Sequence, residues 1–317
     1  MDSSSAHVLR EWAGKRGYGI AWFGGEVVRR AFDRIARLRA DGEFEAGFFN
    51  RFMSWSADPD VLAQADVRTL ILVAIPRPAH LVVFEDEGGR HKLALPPTYL
   101  RYGALFDDVL ADLSALTEDR LKLRRISAPL KTIAGLTGFA RYGKNNITYV
   151  GGLGSAVQLA GFAAETSIPG GVIPKENVPT ALDECQSCRA CLRACPTRAI
   201  VEDRFLYHGE RCLTAFSECA GELPDAFARL RTPTLIGCLA CQEVCPANRE
   251  HLRFETVPQA FSRAETAYLL GEAGGGPPSA ELVEKVRALG CTDLTIDETG
   301  PSAIFRRNLR AVLRTRP

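Results

Sequence analysis

Cys185-Gln-Ser-Cys188-Arg-Ala-Cys191-Leu-Arg-Ala-Cys195-Pro196 is the stretch on which the reading of this chain turns. Its cysteines are spaced three, three and four residues apart, and a proline follows the last directly. One turn of chain with this spacing can wrap an iron–sulfur cubane with its first three thiolates, while the fourth points away toward a second cluster. A complementary half follows: Cys212, then Cys238, Cys241 and Cys245, closed by Pro246.

Eight thiolates in this order supply two complete ligand sets. By the ferredoxin-type logic of crossed ligation, cluster one takes Cys185, Cys188, Cys191 and Cys245, and cluster two takes Cys195, Cys212, Cys238 and Cys241. Zinc is the competing reading of a thiolate cluster, but a closed zinc site draws on two separated knuckles or on histidine. Four cysteines within one short run argue against it. Cys219 and Cys291 have no partner at ligand spacing and read as incidental thiols, and His208 needs no role.

Working outward, all ten cysteines lie after residue 184. The N-terminus is polar and leads into a charged amphipathic stretch, which is no signal peptide, so the expected compartment is the cytoplasm and the thiols are expected to be reduced. The absence of a long apolar run predicts no membrane span. A net charge of +1 argues against nucleic-acid binding through bulk positive charge and leaves room for a local patch.

The first 165 residues mix helical and strand periodicities. Residues 6–16 and Glu26–Arg39 read as helices, the second with an arginine-rich outer face expected to be solvated. Tyr18–Phe23 and the continuous apolar run Thr69–Ile75 read as strands, the latter buried. His80–Phe84 and His91–Leu95 read as a hairpin, Tyr102–Leu116 as a helix, Leu121–Ile126 as a strand, and Pro129 to Leu136 as a short helix. Between 138 and 155 runs a glycine-rich loop system flanked by strands at Ile147–Val150 and Ala156–Phe162. Ser167–Pro179 is the linker candidate. The expected organisation is an α/β (mixed α+β) domain over 1–165, a ferredoxin-like double [4Fe–4S] domain over 166–255 and a small helical tail over 256–317.

The order of motifs then resembles a known family. Asp58-Pro-Asp-Val-Leu-Ala-Gln-Ala-Asp66, Gly143-Lys144-Asn145, Gly154-Ser155, Arg211-Cys212 and Gly237-Cys238-Leu-Ala-Cys241-Gln-Glu-Val-Cys245-Pro246-Ala-Asn248 look like their counterparts in the epoxyqueuosine reductases. Those are cobalamin-dependent reductases with two [4Fe–4S] clusters, and the resemblance covers about residues 55–250. It implies that the α/β domain binds cobalamin, that the clusters reduce it, and that Gly138, Gly143, Lys144, Asn145, Gly154 and Ser155 line it. It also implies an external electron donor such as a flavodoxin or ferredoxin.

Two departures bear on the substrate. Where the tRNA-modifying members carry an acidic proton donor ahead of the glycine turn, this chain has Leu130 and Lys131. Leucine cannot transfer a proton; Lys131 can if burial lowers its pKa, and Tyr99 and Tyr142 are the other candidate donors. The helical repeat module of longer members is represented only by a stretch beginning at Ile304. Against this, Asp119 to Asn146 carries Arg120, Lys122, Arg124, Arg125, Lys131, Arg141 and Lys144, a set suited to the phosphate of a cobalamin tail or a tRNA backbone, while a solvated strand face explains Lys122 and Arg124 equally well. The expected function is an iron–sulfur reductase acting through cobalamin on a small or tRNA-borne substrate. The alternatives are an electron-transfer protein with no corrinoid of its own, and an epoxyqueuosine-tRNA reductase with a displaced proton donor.

Overall fold

Seven consecutive buried residues, Thr69 to Ile75, form the middle of the first sheet. The computed structural model describes residues 3–64, 67–172, 181–273 and 276–314; Pro174 and Pro179 of the linker candidate, and Ala65 and Asp66 of the motif before the strand, lie outside them. The strands run β1 (Gly19–Gly24), β2 (Thr69–Pro76), β3 (Ala79–Asp86), β4 (Gly89–Leu95), β5 (Arg124–Arg125), β6 (Ala140–Tyr142), β7 (Thr148–Val150), β8 (Val157–Ala164), β9 (Phe254–Phe261), β10 (Ile296–Asp297) and β11 (Gly300–Pro301). They fall into two units interleaved along the sequence. The first is Met1–Arg77, Gly103–Arg189 and Glu202–His208; the second is Pro78–Tyr102, Ala190–Val201 and Gly209–Pro317.

In the first unit the sheet order is β1-β2-β8-β5, antiparallel throughout. Side chains alternate faces along a strand, and β2 shows why its run is apolar without a break. Leu70, Leu72 and Ala74 enter one core with Val27, Val28, Ala31 and Phe32 of helix Glu26–Ala40 and Ile133 and Ala134 of helix Leu130–Leu136. Ile71, Val73 and Ile75 enter the other with Leu9 and Trp12 of helix Ser3–Arg16 and Phe106, Val109 and Leu113 of helix Tyr102–Leu116. Both faces are covered, and each fully buried Leu or Ile contributes about 2 kcal/mol. Gly161 on β8 is required by this packing, because a Cβ there would stand 2.5 Å from Leu130 Cδ2. Leu130 thus packs partly buried against both cores.

Hairpin β3–β4, expected within the 1–165 division, builds the second unit instead. β9 joins β3 in parallel, giving the order β4-β3-β9 with a register shift between Leu81 and Val83. Phe84 and Phe261 stack at 4.7 Å across the ladder. Helices Arg263–Leu270, Ala280–Leu289 and Ala303–Leu313 complete the core through Leu269, Val286, Phe305 and Leu309. Ser262 and Glu265 close a capping box on the first of these, and left-handed Gly271 and Gly290 end the first two. The expected divisions at 165 and 255 therefore do not coincide with the units. The expected strand at 121–126 reduces to β5, and β9 was not foreseen. In chain order, a mixed α/β N-terminal region is followed by the cysteine-rich segment and a helical C-terminal region.

Candidate functional site

The sequence 138–155 folds into a small hairpin of β6 and β7, with Tyr142 opposite Thr148. Its turn closes on itself: Gly143 N donates to Ile147 O at 2.8 Å and Asn146 N to Gly143 O at 2.9 Å. Asn145 is buried, accepting from Ile147 N at 3.2 Å and donating to Tyr149 Oη at 3.1 Å. A Cβ on Gly143 would stand 2.4 Å from Asn145 Oδ1, so only glycine fits. Asn146 takes the left-handed conformation at φ 57°, a tolerance peculiar to Asn and Asp.

At this turn the first unit gathers a polar constellation. Lys131 Nζ donates to Asn146 Oδ1 at 2.7 Å and lies 5.5 Å from the Tyr142 ring centre. Tyr142 Oη donates to Lys131 O at 3.0 Å, and its ring meets Phe205 edge-on at 5.1 Å. Asn146 Nδ2 reaches Phe205 O at 3.3 Å. Burial pushes the Tyr142 phenol up to about 12, against a lowering from Thr132 and nearby Arg34. The ring face favours a charged ammonium, so Lys131 is the group here equipped to carry a proton or hold an anion.

The remaining expected ligand-lining residues divide. Lys144 Nζ pairs with Glu202 Oε1 at 3.4 Å, and Arg189 pairs with the same carboxylate, holding it below its usual range. Ser155 is buried. Gly138 is left-handed at φ 73° just past helix Leu130–Leu136, and Gly154, at φ 67°, exchanges hydrogen bonds with Val150. Positions 151 and 152 are exposed glycines with open space where a Cβ would stand, as at Gly138. What the loop offers outward is backbone, while the Lys144 and Asn145 side chains are engaged inside the unit. Tyr99 belongs to the second unit. There it hydrogen-bonds Glu218, and burial followed by that carboxylate drives its pKa well above the ordinary tyrosine value.

Hairpin β6–β7 also anchors the start of the cysteine segment. Leu182 N donates to Tyr142 O at 2.8 Å, and the Arg141 guanidinium grips both Asp183 oxygens at 2.6 and 2.7 Å. Arg141 adds a bond to Ala181 O at 2.6 Å. Cys185 ends the short turn Asp183–Cys185 that follows.

From Ala190 onward the cysteines lie in the second unit, Cys191 and Cys241 within the short turns Ala190–Ala194 and Ala240–Glu243, and Cys212 and Cys245 capping the turns Leu213–Ser217 and Pro246–Asn248. Cys195 Sγ accepts from Ala199 N at 3.2 Å. Gly237 precedes Cys238 for a steric reason, since a Cβ would stand 2.8 Å from Pro96 Cγ and 2.9 Å from Tyr99 Oη. Its N–H donates to Ser217 Oγ at 2.8 Å. Burial pushes the Cys212 thiol up, the Cys238 thiol to about 12 and the Cys241 thiol well above its ordinary value. Each also feels neighbouring sulfur charge: Cys212 from Cys195, Cys238 from Cys212 and Cys195, and Cys241 from Cys238, Cys212, Cys191 and Cys195. Gathered, desolvated thiols suit a cationic polynuclear centre, because a metal supplies the positive charge that thiolates there lack. Among the described residues no three His, Cys, Asp or Glu side chains converge on a single-ion site.

Asn146, Phe205, Glu202 and Glu218 escaped the sequence reading. Asn145-Asn146 after a glycine is a turn signal that could have flagged the first. The others arrive by tertiary packing and carry no local signal.

Residues 184–248 match the family model for a 4Fe-4S double cluster binding domain. In sequence the chain is 33% identical over 171 residues to an epoxyqueuosine reductase of Bacillus subtilis, covering 50% of this chain and 42% of that protein. It is 32% identical over 169 residues to one from Shewanella oneidensis, covering 51% and 40%. The match therefore spans about two fifths of those relatives' own length. In structure it is similar to epoxyqueuosine reductase from Streptococcus thermophilus, with a TM-score of 0.65 at 18% identity over 98% of this chain and 81% of that one. An epoxyqueuosine reductase solved with an epoxyqueuosine-modified tRNA-Tyr stem loop gives 0.64 at 19% identity, with the same coverage. The chain thus resembles the epoxyqueuosine reductases in sequence and shares their fold. Among the described residues no helix is long and apolar enough to cross a membrane.

Proposed function

We propose that this chain is an iron–sulfur reductase in which two [4Fe–4S] clusters deliver single electrons to a cobalamin held by the first unit. The observation that carries the reading is the set of eight cysteines at double-cluster spacing within the segment matching the double-cluster family model. The mutual charge interactions gather Cys191, Cys195, Cys212, Cys238 and Cys241; by crossed ligation Cys195, Cys212, Cys238 and Cys241 hold one cluster, and Cys185, Cys188, Cys191 and Cys245 the other. An external carrier such as a flavodoxin or ferredoxin supplies the electrons.

The corrinoid would rest on the outward backbone at Gly138, Gly151 and Gly152, where exposed glycines have open space at the Cβ position, with buried Gly143 and Gly154 setting the loops behind them. Lys144, Asn145 and Ser155 shape those loops from within. When bound, the group supplies a metal centre that accepts the clusters' electrons and attacks carbon. Lys131 then serves as proton donor. Asn146 orients its amine through the 2.7 Å hydrogen bond, and the Tyr142 ring flanks it with its centre at 5.5 Å. Tyr142, with its phenol at about 12, positions Lys131 rather than donating, and Tyr99 braces the Gly237–Cys238 turn. The substrate is tRNA-borne, consistent with the relative solved on a modified tRNA stem loop.

The test is anaerobic cluster reconstitution followed by titration with cobalamin and reduction, read in the visible spectrum. Stoichiometric binding with reduction of cobalt is expected. Two intact clusters with no corrinoid binding would instead identify an electron-transfer protein serving a partner's cofactor.

A further inference from the structure

Cys195 and Cys212 are ligands of the same cluster in the crossed assignment, and the chain between them does not stay in one unit. Both cysteines belong to the second unit, but Glu202–His208, which lies between them in sequence, belongs to the first. That excursion contains no helix or strand. Its place is held by side-chain contacts and by what fixes its ends.

In the first unit the segment meets the turn that carries the candidate proton donor. Asn146 Nδ2 donates to Phe205 O at 3.3 Å, while Asn146 Oδ1 accepts from Lys131 Nζ at 2.7 Å. One side-chain amide therefore ties the backbone of the segment to the Lys131 amine. The Phe205 ring meets Tyr142 edge-on at 5.1 Å, and Tyr142 flanks Lys131 Nζ at 5.5 Å and donates to Lys131 O. Two routes thus run from Phe205 to Lys131. Arg204 anchors the segment beside them: its guanidinium donates to Glu43 O and, at 2.9 Å, to Glu43 Oε2. Glu202 anchors it again, pairing with Lys144 at 3.4 Å and with Arg189.

These anchors are modest for the work of holding the segment. Glu202 and Phe205 are exposed, ion pairs in such a setting contribute little, and every residue ordered without regular structure gives up backbone and side-chain freedom. A metal centre that binds Cys195 and Cys212 together closes residues 196–211 into a loop and removes much of that freedom in advance. We infer that Arg204 and Phe205 are positioning residues for Lys131, acting through Asn146 and Tyr142, and that filling cluster two draws them into place by fixing both ends of their segment. The proton donor is then assembled only on a chain able to deliver electrons. The inference rests on the proposed reading of Lys131 as donor and adds what seats it.

The reconstituted holoprotein is pulsed briefly with acetic anhydride, and acetylation of Lys131 is read by peptide mass spectrometry against exposed Lys122. Hydrogen exchange over residues 143–147 and 202–208 is followed in parallel, with β2 as the reference. Arg204→Ala/Phe205→Ala should raise Lys131 acetylation about fivefold and speed exchange in both segments, with β2 and the iron content unchanged. Arg204→Lys/Phe205→Tyr should restore most of the protection. Cys195→Ala should expose Lys131 in the same way, although residue 195 lies in the other unit. Unaltered Lys131 reactivity in either the alanine pair or Cys195→Ala overturns the inference. So does a conservative pair as reactive as the alanine pair, or acceleration of β2 to the same degree, which would make the segment a support of the whole unit. Neither readout uses cobalamin or substrate, and corrinoid binding is titrated separately on the wild type, so failure of the reductase reading is told apart from failure of this one.

Discussion

The turn at Gly143–Ile147 and the loops that follow Cys212 solve the same problem in opposite ways. Both are short, irregular pieces of chain that must satisfy buried polar groups. In the first, Gly143, Asn145 and Ile147 bond to one another, and the site residues Lys131 and Tyr142 complete the set within one unit. In the second, satisfaction comes from far away. Arg307 on the last helix donates to Cys219 O at 2.5 Å, Gly221 O at 2.7 Å, Phe216 O at 3.0 Å and Ser217 O at 3.2 Å, and Asn308 Nδ2 adds Ser217 O at 3.0 Å. At the head of this segment burial pushes the Cys212 thiol up. A self-closed loop is a scaffold for something that binds against it. A loop braced by a remote arginine and lined with desolvated sulfur is completed by what binds inside it.

The largest effect is expected where the second region loses a ligand. Cys195→Ala should lower bound iron from about eight to about four per chain, measured by iron and acid-labile sulfide analysis. Retention of all the iron would break the crossed assignment. Next is the brace. Arg307→Ala removes four hydrogen bonds, leaving Ser217 O to Asn308 Nδ2 and Phe216 O to Cys219 N, and should cost about 3 kcal/mol in the second unit's unfolding, with Arg307→Lys recovering only part because a single ammonium cannot span the fork. Denaturation of the holoprotein, with iron release as a parallel signal, would check both values; an unaltered midpoint would remove the contrast drawn here.

In the self-closed turn, Gly143→Ala forces a Cβ toward Asn145 Oδ1 and should cost about 2 kcal/mol of first-unit stability, read as a lowered thermal midpoint with bound iron unchanged. The smallest effect belongs to Tyr142→Phe. Losing the bond to Lys131 O should cost about 1 kcal/mol at neutral pH. The native phenol titrates at about 12, whereas an unfolded tyrosine ionises near about 10. Its contribution is therefore fully present below that lower value and is lost as pH climbs between the two, because the unfolded chain releases its proton first. The variant should lack this alkaline decline, which a pair of pH-stability curves would reveal.

What was legible in the sequence follows the same divide. Thr69–Ile75 announced a doubly covered strand because both faces are apolar, and Glu26–Arg39 announced its helix by period. The cysteines announced their chemistry by spacing alone. Neither local pattern nor spacing could show that His80–Leu95 pairs with Phe254–Phe261. That strand is weakly alternating and contains Pro258, which lacks an amide hydrogen and is tolerated because β9 lies at the sheet edge. Gly161, unremarkable in the sequence, is what allows Leu130 to serve as packing where the relatives are expected to carry an acid. Lys131 was legible as a candidate. Its partners Asn146 and Phe205 were not, since a hydrogen bond across 15 residues and a ring from the far side of the cysteine run are consequences of the fold.

Anaerobically prepared protein, analysed for iron, sulfide and corrinoid on the same sample and then followed spectroscopically during reduction, tests the central claim most directly. The account predicts about eight irons with one corrinoid per chain and cobalt reduced through the clusters. A chain that fills both clusters yet neither binds nor reduces cobalamin would contradict it.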